Sequence, residues 1–408
     1  MSCNNINIVN GQLVTFGGNN LDAFGRLRVS NPLTIFDSKN IMSKNSLFDE
    51  SLTGGGTVTY TANKSTVNLN VTQASGDKTI RQSKRVMSYQ PGKSLLIFNT
   101  FVMNTLTANL KQKLGLFDAN NGIFFYADGT TLKIVRRTYT SGAAVDTEIS
   151  QSSWNGDKLN GTGASGFTLD PTTSNILFID IEWLGVGSVR VGFVINGQLI
   201  TAHTFNNANS LTTVYMQTAN LPIRYEIQAA AALSSGTYTL QQICSSCISE
   251  GGYAPNSVEQ MIGTASLGGV NLTTSGTLYN LATIRIKTSR PYAVIVPQGF
   301  IAAGIQNSDY EVQLLLNATP STSFSYTSYS DNVEYDLTGA TTITGGILVA
   351  KAYLAGKGSS ITSVGGGFNF DYQLGQTIAG VSDTLTLCAK AAANNDDVLG
   401  TIKWYDLT

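Results

Sequence analysis

The sequence predicts an all-β protein: a jelly-roll sandwich behind an extended leader, followed by a second β-sandwich. Three observations carry that prediction. Segments such as GGTVTYTA (55–62), STVNLNVTQ (65–73) and TLKIVRRTY (131–139) alternate with period two between Gly, Asn and Asp, as half-buried antiparallel strands do. Turn dipeptides recur at strand ends, with Asn121-Gly122, Asp128-Gly129 and Asn196-Gly197 each at a hairpin corner. The 408 residues hold only 25 basic and 26 acidic side chains, whereas about 100 charges are usual at this length. Gly, Ser, Thr and Asn take their place, which disfavours long helices with charged outer faces.

Residues 1–50 form an Asn-rich leader without clean periodicity. Residues 51–250 read as the jelly roll. Continuous apolar runs at 94–103, 175–183 and 188–195 predict more deeply buried strands, and GFVINGQLIT predicts a strand, an Asn-Gly turn and a return strand. A helical reading is invited only near 228–235, which is short and uncapped. The stretch 233–256 reads as a last strand and a linker. Residues 251–408 form the second sandwich, with strands expected at 281–287, 291–297, 310–317, 346–353 and 384–390. No fixed-period repeat is present, which disfavours a solenoid.

Composition narrows the function classes. A formal net charge of −1 gives no global field for nucleic acid or anionic membrane. The basic groups Arg81, Lys84, Arg85 and Lys133, Arg136, Arg137 lack an aromatic ladder at nucleotide spacing, so no nucleic-acid partner is expected. No apolar run reaches 18 residues, so no membrane insertion is expected. The N-terminus lacks the pattern of an export signal, and the four cysteines (Cys3, Cys244, Cys247, Cys388) read as reduced thiols of a protein made in cytoplasm.

Chemistry-bearing constellations are sparse. His203 is the sole histidine; it reads as a hydrogen-bonded strand residue and leaves no material for a triad. Asp180 and Glu182 lie two apart on a strand, roughly 6.6–7 Å between Cα atoms and on one face, close to the separation of retaining glycosidase carboxyls at about 5.5 Å. The retaining laminarinase-type strand motif would place a third acid just upstream, where this chain has Leu177 and Phe178. Cys244-x-x-Cys247 lacks a second Cys/His pair and reads as structural. Glycine clusters such as 161–166 lack the strand, Lys and helix of a phosphate loop. No catalytic residue, cofactor or metal is expected. Tyr and Trp on a Ser/Thr/Asn-rich scaffold can stack on sugars: Tyr139, Trp154 and Trp183 are the stacking candidates, with Asn155, Asp157 and Asn160 as polar partners.

Two stretches carry a resemblance. DAFGRLRVSNPLTIFDSK (22–39) resembles a leader found in virion structural proteins of tailed bacteriophages and large DNA viruses. The block from KLGLFDANNGIFFYADG through SSWNGDKLNG and NILFIDIEWLG to MQTANLPIRYEI is similar to the concanavalin-like jelly roll that follows it there. The resemblance covers about residues 20–250. It implies a structural virion protein, non-enzymatic, docked on capsid or tail through its leader, with other virion proteins and copies of itself as partners. Phe24, Leu27, Val29, Leu33, Ile35 and Phe36 would then be apolar anchors, with Arg26 and Arg28 pairing to acids. A host-surface glycan-binding adhesin and a carboxylate-dependent glycan hydrolase are the alternatives.

Overall fold

The computed structural model describes residues 29–339, 341–356 and 370–408, with the backbone of short strands at 6–9, 12–15 and 359–363. Among the described residues the chain is all β, with short 3-10 turns and no α-helix. The first sandwich is a concanavalin-like jelly roll of two antiparallel sheets. Seven strands form one sheet in the order Val145–Ser150, Thr131–Thr138, Gly122–Asp128, Leu110–Phe117, Ile223–Ala229, Lys78–Ser83, Phe48–Thr53. The facing sheet runs Gln198–Phe205, Val189–Ile195, Asn175–Ile181, Leu95–Val102, Tyr238–Ser249, Thr66–Val71, Thr57–Thr61, with Leu33–Lys39 also paired to Tyr238–Ser249.

Local chemistry sets the corners. Ile195 pairs with Gln198 across Asn196 and Gly197, whose φ of 50° and 77° give the left-handed turn that matches strand twist. The Asn121-Gly122 corner is wider: Phe117 pairs directly with Gly122, and the Asp118 carboxylate accepts the N–H groups of Asn120 and Asn121, both at 2.7 Å. The run 94–103 is less buried than its composition suggests. Leu95, Ile97 and Phe101 face the core, and the alternate residues lie half-buried on the outer face. The reverse holds for Gly122–Asp128, which is buried on both faces.

That second burial has a physical cause. Phe117, Phe124, Tyr126 and Val135 form a cluster on the outer face of the seven-stranded sheet, away from the core. Long cationic side chains cover them. The Lys113 ammonium lies 5.1 Å from the Tyr126 ring, Lys133 5.5 Å from the same ring, the Arg137 guanidinium 5.3 Å from Phe124 and Arg224 5.4 Å from Phe117. Acids tie the cations down: Glu226 pairs with Arg224, Lys113 and Lys78, Lys133 with Asp128 and Glu148, and Arg137 with Asp146. Burial alone would raise the Glu226 carboxyl, yet its three cations outweigh that and hold it down at about 2.

The structure corrects the docking reading at two anchors. Leu33–Lys39 is a strand of the chain's own sandwich, and a bulge opposite Cys247 and Ile248 turns both Ile35 and Phe36 inward. The Phe36 ring packs edge-on against Phe48 at 5.9 Å. Both are core residues, not partner anchors. Val29 and Leu33 are exposed, at 82% and 39%. Phe24, Arg26, Leu27, Arg28 and Cys3 lie outside the described residues.

The stretch 233–256 is also more central than a terminal strand and linker. Tyr238–Ser249 lies in the middle of its sheet, pairing with Leu95–Val102 on one side and with Thr66–Val71 and then Leu33–Lys39 on the other. Cys244 and Cys247 lie on opposite faces of this strand. Cys247 is fully buried, and burial pushes both thiols up, so neither is the exposed thiolate that redox chemistry needs.

The second sandwich stacks a six-stranded sheet (Thr327–Ser328, Val333–Asp336, Tyr279–Ile286, Thr384–Ala391, Asp309–Leu316, Ile347–Ala355) on a sheet formed by Glu259–Gly263, Asp396–Asp406, Ile295–Gly304 and Ser359–Ser363, with Val270–Leu272 on its margin. Leu281, Phe300, Leu314, Leu387 and Trp404 fill the space between them. The two sandwiches touch. Tyr292 donates to Asp118 at 2.6 Å, Gln373 to the Val86 carbonyl at 3.0 Å, and the Ile378 N–H to Asp49 at 2.8 Å.

Phe36→Ala should lower the unfolding free energy by about 3–5 kcal/mol, read by urea denaturation; an unchanged midpoint would mean the leader strand is not part of the core. Glu226 should also mark the acid limb of stability. Its folded pKa lies below its ordinary 4.5, so its contribution is present above that pH and is lost as pH falls toward about 2. Glu226→Gln, compared with wild type across that window, should show a flatter loss.

Candidate functional site

The outer face of the eight-stranded sheet carries an open cleft lined by charged and hydroxyl side chains. Cross-strand register builds it in rows. In one row Ile248, Leu96, Asp180, Arg190 and Thr204 are successive neighbours across five strands. The row two residues deeper holds Ser246, Phe98, Phe178 and Gly192. The row at the strand ends is held by backbone bonds from Glu250 to Ser94, at 3.0 Å, and from Glu182 to Ser188, at 3.1 Å. Gly92, Ser94, Asp180, Glu182, Ser188 and Arg190 line the resulting cleft.

Asp180 is buried and forms an ion pair with Arg190, whose side chain is largely in solvent. Burial raises the Asp180 pKa; the Arg190 charge pulls it back, and nearby Glu250 and Glu182 push it up again. The carboxyl is therefore a desolvated acceptor held in place by a cation. Glu250 accepts from the Ser94 hydroxyl at 2.8 Å, and Tyr215 donates to the Glu182 carbonyl at 3.0 Å, fixing the turn from which Glu182 projects. Phe178 sits directly opposite Phe98. A Cβ at Gly192 would lie 2.8 Å from the Phe178 ring and 2.0 Å from the Ile200 carbonyl oxygen, so only glycine leaves room there.

The predicted pair Asp180 and Glu182 thus does share one face and one cleft. The place of a third acid on that strand face is taken by Phe178, whose ring is buried. Arg190, Ser94, Glu250 and Phe98 were not singled out from sequence. A signal for Arg190 existed: Asp180 and Arg190 are lone charges in consecutive apolar strands, and such charges pair across a sheet.

The glycan candidates named from sequence do not converge. Trp154 is 2% exposed and donates to the Ile149 carbonyl at 3.1 Å, so it is a core residue and no stacking platform. Trp183 turns away from the cleft to donate to the Met216 carbonyl at 3.1 Å, with its ring edge-on to Tyr89. Asn155 bonds both backbone groups of Thr204, at 2.9 and 2.8 Å. Asp157 accepts the N–H groups of Leu159 and Ser165, at 2.9 and 2.7 Å, and Asn160 accepts from Thr162. Tyr139 donates its N–H to Asn121 at 3.2 Å. These polar contacts shape loops at the sandwich margin. His203 is buried, its pKa lowered by that burial, and its Nδ1 accepts the Asn155 N–H at 3.3 Å. It is a structural imidazole, as the sequence indicates.

No family model matches the chain, and no curated protein matches it. Solved structures do share its shape at low likeness. A prokaryotic β-1,3-1,4-glucanase (lichenase) derived from a mouse hindgut metagenome is 9% identical, covering 52% of this chain and 97% of its own, with a TM-score of 0.34. The Emp47p carbohydrate recognition domain is 8% identical over 57% and 99% of the two chains, at 0.33. A carbohydrate esterase, vb_24B_21 from the Shiga toxin-encoding bacteriophage phi24B, is 13% identical over 54% and 100%, at 0.31. At these values the likeness supports no inference about this chain's activity or ligand.

Proposed function

We propose that the chain is a virion surface protein whose first sandwich holds a host-surface glycan in the Asp180 cleft. The observation that carries this reading is the cleft's composition. A desolvated carboxylate clamped by a guanidinium, a second carboxylate and two serine side chains line one open cleft. Sugars present vicinal hydroxyls that paired donors and acceptors of this kind can bond. Binding without cleavage fits two features: the Asp180 carboxylate is engaged by Arg190, and Phe178 occupies the place where an attacking carboxylate would stand. The virion setting rests on the leader at 22–39 and on a surface poor in charge, which desolvates at low cost when covered by neighbours.

A glycan array on the purified chain, followed by calorimetry on the best ligand, tests the cleft. Glu182→Gln and Ser94→Ala should each weaken binding by roughly 5- to 10-fold, the scale of one lost hydrogen bond, whereas Asn160→Ala should leave it unchanged. No bound sugar, or equal affinity in all variants, would sink the reading. Release of reducing ends by wild type but not by Glu182→Gln would replace it with the hydrolase alternative.

Particle docking is tested by truncation. Since Leu33–Lys39 belongs to the core sheet, a chain lacking residues 1–28 should fold and fail to enter particles. A chain lacking residues 1–40 should lose the fold itself. Normal incorporation of the shorter truncation would refute docking through the leader.

A further inference from the structure

A second cleft borders the Asp180 cleft across a single turn. The Lys93 N–H donates to the Gln90 carbonyl at 3.2 Å and closes a β-turn with Pro91 and Gly92 at its corners, Gly92 at a φ of 81°. Residues of this turn alternate between the two clefts: Gly92 and Ser94 line the Asp180 cleft, whereas Pro91 and Lys93 line its neighbour. Consecutive Cα atoms lie about 3.8 Å apart, so only the width of the turn separates the two. Two further segments also serve both. Glu250 accepts from the Ser94 hydroxyl, and a few residues on Tyr253 and Asn256 line the second cleft. The turn that carries Glu182 donates its Leu184 N–H to the Tyr89 hydroxyl at 3.2 Å, and Tyr89 lines the second cleft. The remaining wall comes from the second sandwich, through Asp406 and Leu407.

The walls of this second cleft are fixed, and two of its donors are unused. The Tyr253 hydroxyl shares a hydrogen bond with Ser88 at 2.8 Å, the Ala254 N–H donates to the Gln90 side chain at 3.0 Å, and the Asn332 amide donates to the Asp406 carboxylate at 3.0 Å. A Cβ at Gly251 would lie 2.6 Å from the Lys93 Cγ, so glycine there makes room for the Lys93 stem, and the ammonium comes to 6.0 Å from the Tyr253 ring. Among the described residues Lys93 has no carboxylate partner and the exposed Asn256 side chain no hydrogen bond. An ammonium with three donors and a primary amide facing one cleft suit the hydroxyl, ring and carboxylate oxygens of a sugar. The clefts have similar volumes, about 410 Å³ at Asp180 and about 420 Å³ at Lys93.

We propose that the two clefts are subsites of one groove whose ligand is an oligosaccharide crossing the turn at Gly92, with one sugar at Asp180 and another at Lys93 and Asn256. This rests on the glycan reading of the Asp180 cleft and adds to it a minimum ligand length and a wall contributed by the second sandwich. Linked sugars are favoured over two separate ones because occupation of the first subsite makes the second binding step intramolecular.

Calorimetry on the full chain compares a hexasaccharide cut from the polysaccharide that binds best on the array with its constituent monosaccharides. The hexasaccharide should bind tighter by roughly 10-fold or more. Lys93→Met keeps the stem against Gly251 and removes the ammonium. That change and Asn256→Ala should each weaken the hexasaccharide by roughly 5- to 10-fold and leave the monosaccharides unchanged, whereas Glu182→Gln should weaken both. Acetylation of Lys93 by acetic anhydride, read by peptide mass spectrometry, should be slowed by the hexasaccharide and not by the monosaccharides. Equal affinity for the two sizes, or a hexasaccharide indifferent to Lys93→Met and Asn256→Ala, overturns the inference and leaves the Asp180 cleft as a single-sugar site. An array without a bound polysaccharide overturns the glycan reading and this inference with it.

Discussion

A polar bridge through the middle of the first sandwich is the constraint on which its geometry depends. Arg81 points inward from the seven-stranded sheet with no exposed surface, where an unpaired guanidinium would be prohibitively costly. It is satisfied by the Glu50 carboxylate, by the Asn45 carbonyl at 3.0 Å and by Gln242 of the opposite sheet at 2.6 Å. Beside it the Tyr225 hydroxyl reaches across to Ser245 at 2.9 Å and Asn99 at 3.2 Å, and Gln242 donates to Ser245 at 3.4 Å. Both sheets are thereby pinned in register. A one-residue slip of Tyr238–Ser249 would strand the arginine and reverse every side chain of that strand.

Much else follows from that pinning. Tyr238–Ser249 bulges between Gln242 and Ser245 against Leu95–Val102, and beyond the bulge it offers its other edge to the leader strand. Leu95–Val102 in turn positions Asn175–Ile181, and that strand carries Asp180 and Phe178 outward. The cleft on the outer face is thus set by hydrogen bonds made on the inner one. Asn45, whose carbonyl caps Arg81, follows closely on the leader strand, so the entry of the chain is tied to the same network.

What the sequence makes legible is what short-range chemistry decides. The Asn196-Gly197 hairpin needs only two left-handed residues between apolar strands. Of the second sandwich's strands, those at Tyr279–Ile286, Asp309–Leu316, Ile347–Ala355 and Thr384–Ala391 are legible, whereas Ile295–Gly304 is misplaced by several residues and the long Asp396–Asp406 is missed. Asp180 and Glu182 share a face because the pleat has period two. Long-range pairing is not legible in this way. Nothing local says that Trp154 turns inward to reach the Ile149 carbonyl, or that a bulge converts Ile35 and Phe36 from surface anchors into core. The role of Arg190 depends on which strand lies beside Asp180, and that depends in turn on sheet order. The aromatic cluster at Phe117, Phe124 and Tyr126 reads as core by composition; only the cations above it show that it lies on the outside.

The scarcity of charge acquires a geometry from these arrangements. Nine charges gather on one face of the seven-stranded sheet, where Lys78, Lys113, Lys133, Arg137 and Arg224 are bound to four acids and roof an aromatic layer. Charges so tied already have partners and aromatic rings beneath them, and a neighbour would have to displace that network to use them. The outer face of the eight-stranded sheet carries the Asp180–Arg190 pair with its flanking acids and, on the leader strand, the exposed Lys39–Asp37 pair. The edge strand Ile347–Ala355 carries one lysine, tied to Glu311, among aliphatic and aromatic side chains.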